Sequence, residues 1–202
     1  MGTLGGSPNP PATDSAGQSP APSTRLKLAT VWLGGCSGCH MSFLDLDEYL
    51  IELAQVADIV SSPIIDRKDY PQGVDVVLVE GAVANEEHLE TIHRVRARTR
   101  VLVSFGDCAV TGNVTAMRNS FGSALPVLQR AYVDDAGPAA QIPGAPGIIP
   151  KLLDKVLPLH AVVRVDAYLP GCPPSAPRIR MALEDIIAGR PLRLAGRDIA
   201  FG

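Results

Sequence analysis

Four cysteines stand in the 202 residues, each among glycines or prolines: Cys36 and Cys39 in "GGCSGCH", Cys108 in "FGDCA" and Cys172 in "PGCPPSAP". A free cysteine that only packs belongs in a core, not in Gly/Pro loops. A structural disulfide suits an oxidising compartment. A redox pair of Cys36 and Cys39 leaves the other two thiols without a task. Zinc bound by all four thiolates is chemically possible, although structural zinc usually draws on two short-spaced pairs and only one is present. An iron–sulfur cluster uses all four, because a [4Fe–4S] core takes one thiolate per iron from a set too wide for one short loop. Gly34, Gly35, Gly38, Gly106 and Gly171 would let the backbone crowd such a core and turn N–H groups toward its sulfides. Pro173 and Pro174 stiffen the last loop.

Other ionisable residues carry weaker signals. Glu80 closes an apolar run one residue before Gly81 and reads on general grounds as a loop-capping acid. His40, after Cys39, reads as a turn cap. His88 and His93 are five apart on one helix, too far round to share a metal, and read as surface residues. Arg94, Arg96, Arg98 and Arg100 read as a solvated helix end. Asp107 reads as an acceptor for a backbone N–H in its own turn. No Ser–His–Asp or Cys–His arrangement is present, and no two carboxylates stand out as an acid–base pair.

The elements that must position the thiols alternate. Residues 26–33, 74–80, 100–106 and 162–170 read as buried strands, with a possible short one at "ADIVSSP". Residues 40–56 read as one helix burying Phe43, Leu46, Leu50 and Leu53. Asn85 caps a helix with acids in its first turns and arginines in its last. Residues 177–189 read as the final helix, with Pro177 at its start, Gly189 at its end, and Ile179, Leu183, Ile186 and Ile187 buried. Between 110 and 160 the pattern is less legible: a short helix near 122–131, then a Pro/Gly-rich loop over 134–150 suited to a partner surface. Alternating strands and helices predict a doubly wound α/β fold with a parallel sheet covered on both faces. Every cysteine then follows the carboxyl end of a strand, the edge where such sheets bind ligands.

Net charge is −3, with both signs interspersed and few aromatics, which excludes a basic nucleic-acid surface. Residues 1–25 are rich in Gly, Pro, Ser and Ala and read as a disordered tail before a single domain over 26–202. They lack the pattern of a secretory signal or a twin arginine, and no stretch suits a membrane span, so the expected address is cytoplasmic.

"GCSGCHMSFL", "VEGAV", "FGDCAVTGNV" and "PGCPPSAPRI" resemble, in order and over residues 31–189, the small subunit of [NiFe] hydrogenases and the related cluster-bearing subunit of respiratory complex I. The complex I relatives carry adjacent cysteines in the first loop, so CSGC points to the hydrogenase branch. The resemblance implies a flavodoxin-like fold and one proximal [4Fe–4S] cluster on Cys36, Cys39, Cys108 and Cys172. It places a glutamate near the cluster at Glu80, as a tuning group or an oxygen ligand. A single cluster and a cytoplasmic address resemble soluble NAD-reducing hydrogenases. There the Ni–Fe centre lies in a large-subunit partner, and diaphorase subunits with further clusters and FMN reduce NAD. Flavodoxin-like sheets also seat FMN at this edge, although no signature for it is present here. A complex I-type quinone-linked subunit and a structural zinc module are the alternatives.

Overall fold

The computed structural model describes residues 25–199 apart from Lys68, Asp135 and Arg193. Of the expected tail over 1–25, only Arg25 falls within that range, and it is tied down, donating to the Ala57 carbonyl at 2.8 Å and pairing with Asp58 at 2.9 Å.

Short apolar runs give seven strands: β1 (Leu26–Trp32), β2 (Ala57–Ser61), β3 (Val74–Glu80), β4 (Val83–Asn85), β5 (Thr99–Phe105), β6 (Leu152–Leu157) and β7 (Ala167–Leu169). Five pair in parallel in the order β2-β1-β3-β5-β7. With β4 outside the sheet this is the flavodoxin order, whose direction reverses between β1 and β3. The helices are α1 (Gly38–Leu44), α2 (Tyr49–Val56), α3 (Glu86–Arg98), α4 (Asp107–Thr111), α5 (Leu125–Gln129) and α6 (Ala176–Ile187).

The period of two along each strand sorts its side chains between two cores. Leu28, Val76, Leu78, Val103 and Phe105 pack with Phe43, Leu53, Ile179 and Leu183 from α1, α2 and α6. Ala29, Val31, Val77, Val79 and Leu102 pack on the other face with Ile92 and Val95 of α3 and with Leu159. Strands buried on both faces explain the near-continuous apolar runs.

Several elements depart from the sequence reading. The helix expected over 40–56 is two, α1 and α2, parted around Asp47, which sits at φ 47°. Aspartate is a weak helix former that tolerates the left-handed region, and "LDLDE" supplies two. Leu50, expected in the core, is only partly buried, as are Ile186 and Ile187. The strand expected over 162–170 shrinks to β7. The helix expected near 122–131 becomes α5 followed by one wide π turn, Arg130–Asp134. A strand that periodicity did not reveal, β6, pairs antiparallel with β4. It buries only Val156 fully, so its alternation is weak. The 142–152 segment borders a groove of about 990 Å³ whose walls include Leu128, Tyr132 and Ile148. Among the described residues, no helix is long and apolar enough to cross a membrane.

The arginines of α3 are not simply solvated. Arg98 donates to the Tyr70 carbonyl at 2.5 Å, and Arg96 to the Thr99 carbonyl and the Asp166 carboxylate, each at 2.5 Å. Asp166, just before β7, also accepts the Leu102 N–H at 2.8 Å, fastening the edge strand to β5. Burial pushes the Asp166 carboxyl up, but the Leu102 N–H and the Arg96 and Arg164 guanidinium groups outweigh it, so it sits below the usual carboxylate range. A carboxyl depressed in the folded state adds stability above its unfolded value, near 3.9, and loses it as pH falls through the folded value. Asp166→Asn is therefore expected to lower the urea midpoint at pH 7. The gap from the parent chain should narrow as pH drops below about 4; a gap independent of pH would remove the ion pair as its cause.

Candidate metal centre

At the carboxyl ends of the strands the backbone is drawn tight. Past β1, the Leu33 N–H donates to the Glu80 carbonyl at 2.9 Å, and Gly34 and Ala82 exchange N–H donations at 3.0 and 2.8 Å. A Cβ on Gly81 would lie 2.9 Å from the Leu33 and Gly34 backbone, so only glycine fits at this crossing, where φ is +88°. The chain then passes the exposed Cys36 and the partly buried Ser37 and enters α1, whose second residue is the buried Cys39. Cys108 lies on α4, immediately beyond β5. Cys172 follows β7 and is joined to Pro173 by a cis peptide bond.

Hydrogen bonds link these three segments directly. The Gly106 N–H donates to the Leu169 carbonyl at 2.8 Å and the Asp107 N–H to the Gly171 carbonyl at 2.9 Å. The Gly171 N–H donates to Asp107 Oδ1 at 2.6 Å, so Asp107 reaches into a second loop. From α1, the buried Ser42 hydroxyl donates to the Pro174 carbonyl at 2.6 Å. Gly106 sits at φ +83°, and a Cβ there would overlap Cys39 Sγ.

All four cysteines are free. Burial pushes the Cys39 thiol far up, and Glu80, Cys108, Cys36 and Cys172 push it further in that order. Burial likewise raises Cys108, and Cys36, Cys172, Glu80 and Asp107 add to the effect. The structure therefore brings all four predicted thiols near enough to act on one another's charge, with Glu80 beside them. A site that so disfavours bare thiolates suits cationic metal, which would take the place of their protons. Among the described residues, no three His, Cys, Asp or Glu side chains are grouped to hold a single metal ion. The donor set, four thiols with glycine at 106 leaving room beside the Cys39 sulfur, fits an iron–sulfur core.

His40 is no turn cap. It is 3% exposed and faces Glu80, which is 1% exposed. The His40 N–H donates to Glu80 Oε2 at 3.0 Å, and the ring Nδ1 makes a very short contact with the same oxygen. The ring Nε2 lies 3.0 Å from Thr30 Oγ1, which donates to Ser62 Oγ at 2.8 Å, and the Trp32 ring stacks on the imidazole. His88 is half-buried, its Nδ1 accepting the Ala84 N–H at 3.3 Å, while His93 is exposed. Asn113, unmarked by sequence reasoning, places its amide Nδ2 3.4 Å from Cys172 Sγ. No local signal could have found it, because the two residues are 59 positions apart.

The sequence profile of the family described as "NADH ubiquinone oxidoreductase, 20 Kd subunit" matches residues 36–186. The chain is 41% identical over 176 residues to the delta subunit of the NAD-reducing hydrogenase HoxS of Cupriavidus necator, covering 84% of this chain and 82% of that one. It is 33% identical to a subunit of the F420-non-reducing hydrogenase of Methanothermobacter thermautotrophicus, and 30% identical to the iron-sulfur subunit of the F420-non-reducing hydrogenase of Archaeoglobus profundus. Those two matches cover 84% and 81% of this chain, and only 56% of each relative. Its fold superposes on a chain of an NAD+-reducing [NiFe]-hydrogenase crystallised in the H2-reduced state, with a TM-score of 0.83 and 37% identity, covering 88% of this chain and 99% of that chain.

Removing the imidazole would strip a buried carboxylate of its ring partner. His40→Leu is expected to destabilise the apo chain by about 3–5 kcal/mol, and Glu80→Gln with His40 kept by less. Urea unfolding of the two variants checks this; equal and small losses would show that the pair carries little.

Proposed function

The chain belongs to the NADH ubiquinone oxidoreductase 20 kDa-subunit family, and from that premise we propose that it is the electron-transfer small subunit of a cytoplasmic NAD-reducing [NiFe] hydrogenase. The observation that carries the reading is the convergence of Cys36, Cys39, Cys108 and Cys172, from the segments after β1, β5 and β7, on one edge of the sheet. These four thiolates would hold one [4Fe–4S] cluster. Such a cluster supplies a one-electron carrier whose potential follows its charge, burial and the hydrogen bonds to its sulfurs.

The chain's own residues set those conditions. Gly106 leaves room beside Cys39. The Asn113 amide donates toward the Cys172 sulfur. Glu80, held by His40, keeps a carboxyl near Cys39 and Cys108, which supports the tuning role that the resemblance implied for it. Met41, two residues from Cys39, and Met117, four from Asn113, are 59% and 71% exposed, which suits apolar contact with partner subunits close to the thiols. One partner is a large subunit, where hydrogen is oxidised at a Ni–Fe centre. The other is a diaphorase module, to which we assign the FMN and the reduction of NAD.

The first test is anaerobic purification of the full chain with its co-expressed subunits. The expected product is brown, and the part of its iron and sulfide that depends on these four cysteines is about four of each per chain, the content of one [4Fe–4S] cluster. Changing any of the four cysteines to serine should lower both. Iron and sulfide unchanged by those substitutions, together with one zinc per chain that they remove, would overturn the reading. The second test is hydrogen-dependent NAD reduction by that complex, which we expect to see. Quinone-linked turnover without hydrogen uptake would move the chain to the complex I side of its family.

A further inference from the structure

Cys172 is the ligand whose support is least secure by itself. It is exposed, and the strand leading to it, β7, is a three-residue edge strand. We propose that Asp107 and Asn113, both on the segment that carries Cys108, are positioning residues that clamp Cys172 at two points, its loop backbone and its sulfur. This rests on the cluster reading above.

Asp107 is 4% exposed and makes a reciprocal pair with Gly171: its N–H donates to the Gly171 carbonyl at 2.9 Å, and its Oδ1 accepts the Gly171 N–H at 2.6 Å. Together with the Gly106 to Leu169 bond, this extends the β5–β7 ladder past the strand ends, up to the residue before Cys172. Gly171 sits at φ +135°, where a Cβ would lie 2.7 Å from Pro174 N, so only glycine fits this turn. Removing the Asp107 acceptor would leave the buried Gly171 N–H without that bond, a cost that favours opening the loop. Six residues on, the Asn113 amide approaches Cys172 Sγ. The two clamp residues are braced to each other. The Thr111 hydroxyl donates to the Asp107 carbonyl at 2.9 Å and accepts the Asn113 N–H at 3.3 Å. One short segment therefore presents Cys108 itself, the bond that places the Cys172 loop, and a donor for the Cys172 sulfur. The two points act differently. Asp107 fixes where the sulfur stands, and Asn113 stabilises negative charge on it.

Anaerobically purified full chain with its partners distinguishes these roles in Asp107→Ala, Asp107→Asn and Asn113→Gly, the last tolerating the positive φ of residue 113. Loss of iron to a chelator, an EPR-monitored redox titration and circular dichroism of the apo chain are the readouts. Asp107→Ala should lose iron about 10- to 100-fold faster with an unchanged apo fold, and Asp107→Asn, which keeps an acceptor oxygen, should hold it nearly as the parent does. Asn113→Gly should keep its iron but titrate at a lower potential with altered EPR features, since the donor it loses favours the reduced state. Iron retained by Asp107→Ala as in the parent, loss from Asp107→Asn as fast as from Asp107→Ala, or an unmoved potential in Asn113→Gly would each overturn the clamp. Should Asp107→Ala not fold, Asp107→Glu replaces it, with its carboxylate one methylene too far out. Faster iron loss supports the clamp, and parental retention overturns it. A parent complex whose iron and sulfide are the same with Cys36, Cys39, Cys108 and Cys172 all changed to serine would sink the cluster reading itself.

Discussion

The structure depends on backbone hydrogen bonds that run past the ends of the strands. Leu33 to Glu80, Gly34 to Ala82, Gly106 to Leu169 and Asp107 to Gly171 carry the sheet's pairing into the loops. Loops joined in this way cannot move independently. Thiols that are up to 136 positions apart in sequence (172 − 36) therefore keep a shared geometry set by the stiffest part of the molecule. Glycine at 81 and 106 is what lets neighbouring backbones and sulfur come this close. A redox centre held on such a frame changes shape little between its two states, which is the physical requirement for fast electron transfer.

Concentrating thiols beside a carboxylate has an electrostatic cost, and the positions of Cys39 and Cys108 show it, since burial and neighbouring negative groups all disfavour their charged forms. The frame must hold that arrangement against this cost. The His40–Glu80 pair belongs to the same problem. A carboxyl at 1% exposure stays in place because an imidazole and a backbone N–H share one of its oxygens, while Thr30, Ser62 and Trp32 fix the imidazole. The polar chain from Glu80 to Ser62 ties the end of β3 to β1 and to the turn after β2.

Much of the fold was legible because strands buried on both faces write continuous apolar runs, as 74–80 and 100–106 do, and because α3 carries its cap and its charge gradient in sequence. The region 110–160 was not. Its short α5, its π turn and β6 draw their stability from distant partners, β6 from β4, and so leave little local periodicity. The single helix expected over 40–56 failed for a local reason, since its aspartates favour a turn that an apolar pattern does not register.

By itself, the sequence determined the chemistry available: four thiols in glycine and proline loops, each after a strand, in motifs that resemble one family. Residue type and neighbours decide that much, because ligand softness and backbone permissiveness are local properties. Only the tertiary structure decided the supporting cast. It turned His40 from a cap into the partner of a buried carboxyl, sent Asp107 across to a second loop, and set Asn113 against a sulfur 59 positions away. Those roles belong to pairs of residues, and a pair exists only once the sheet has closed the distance between them.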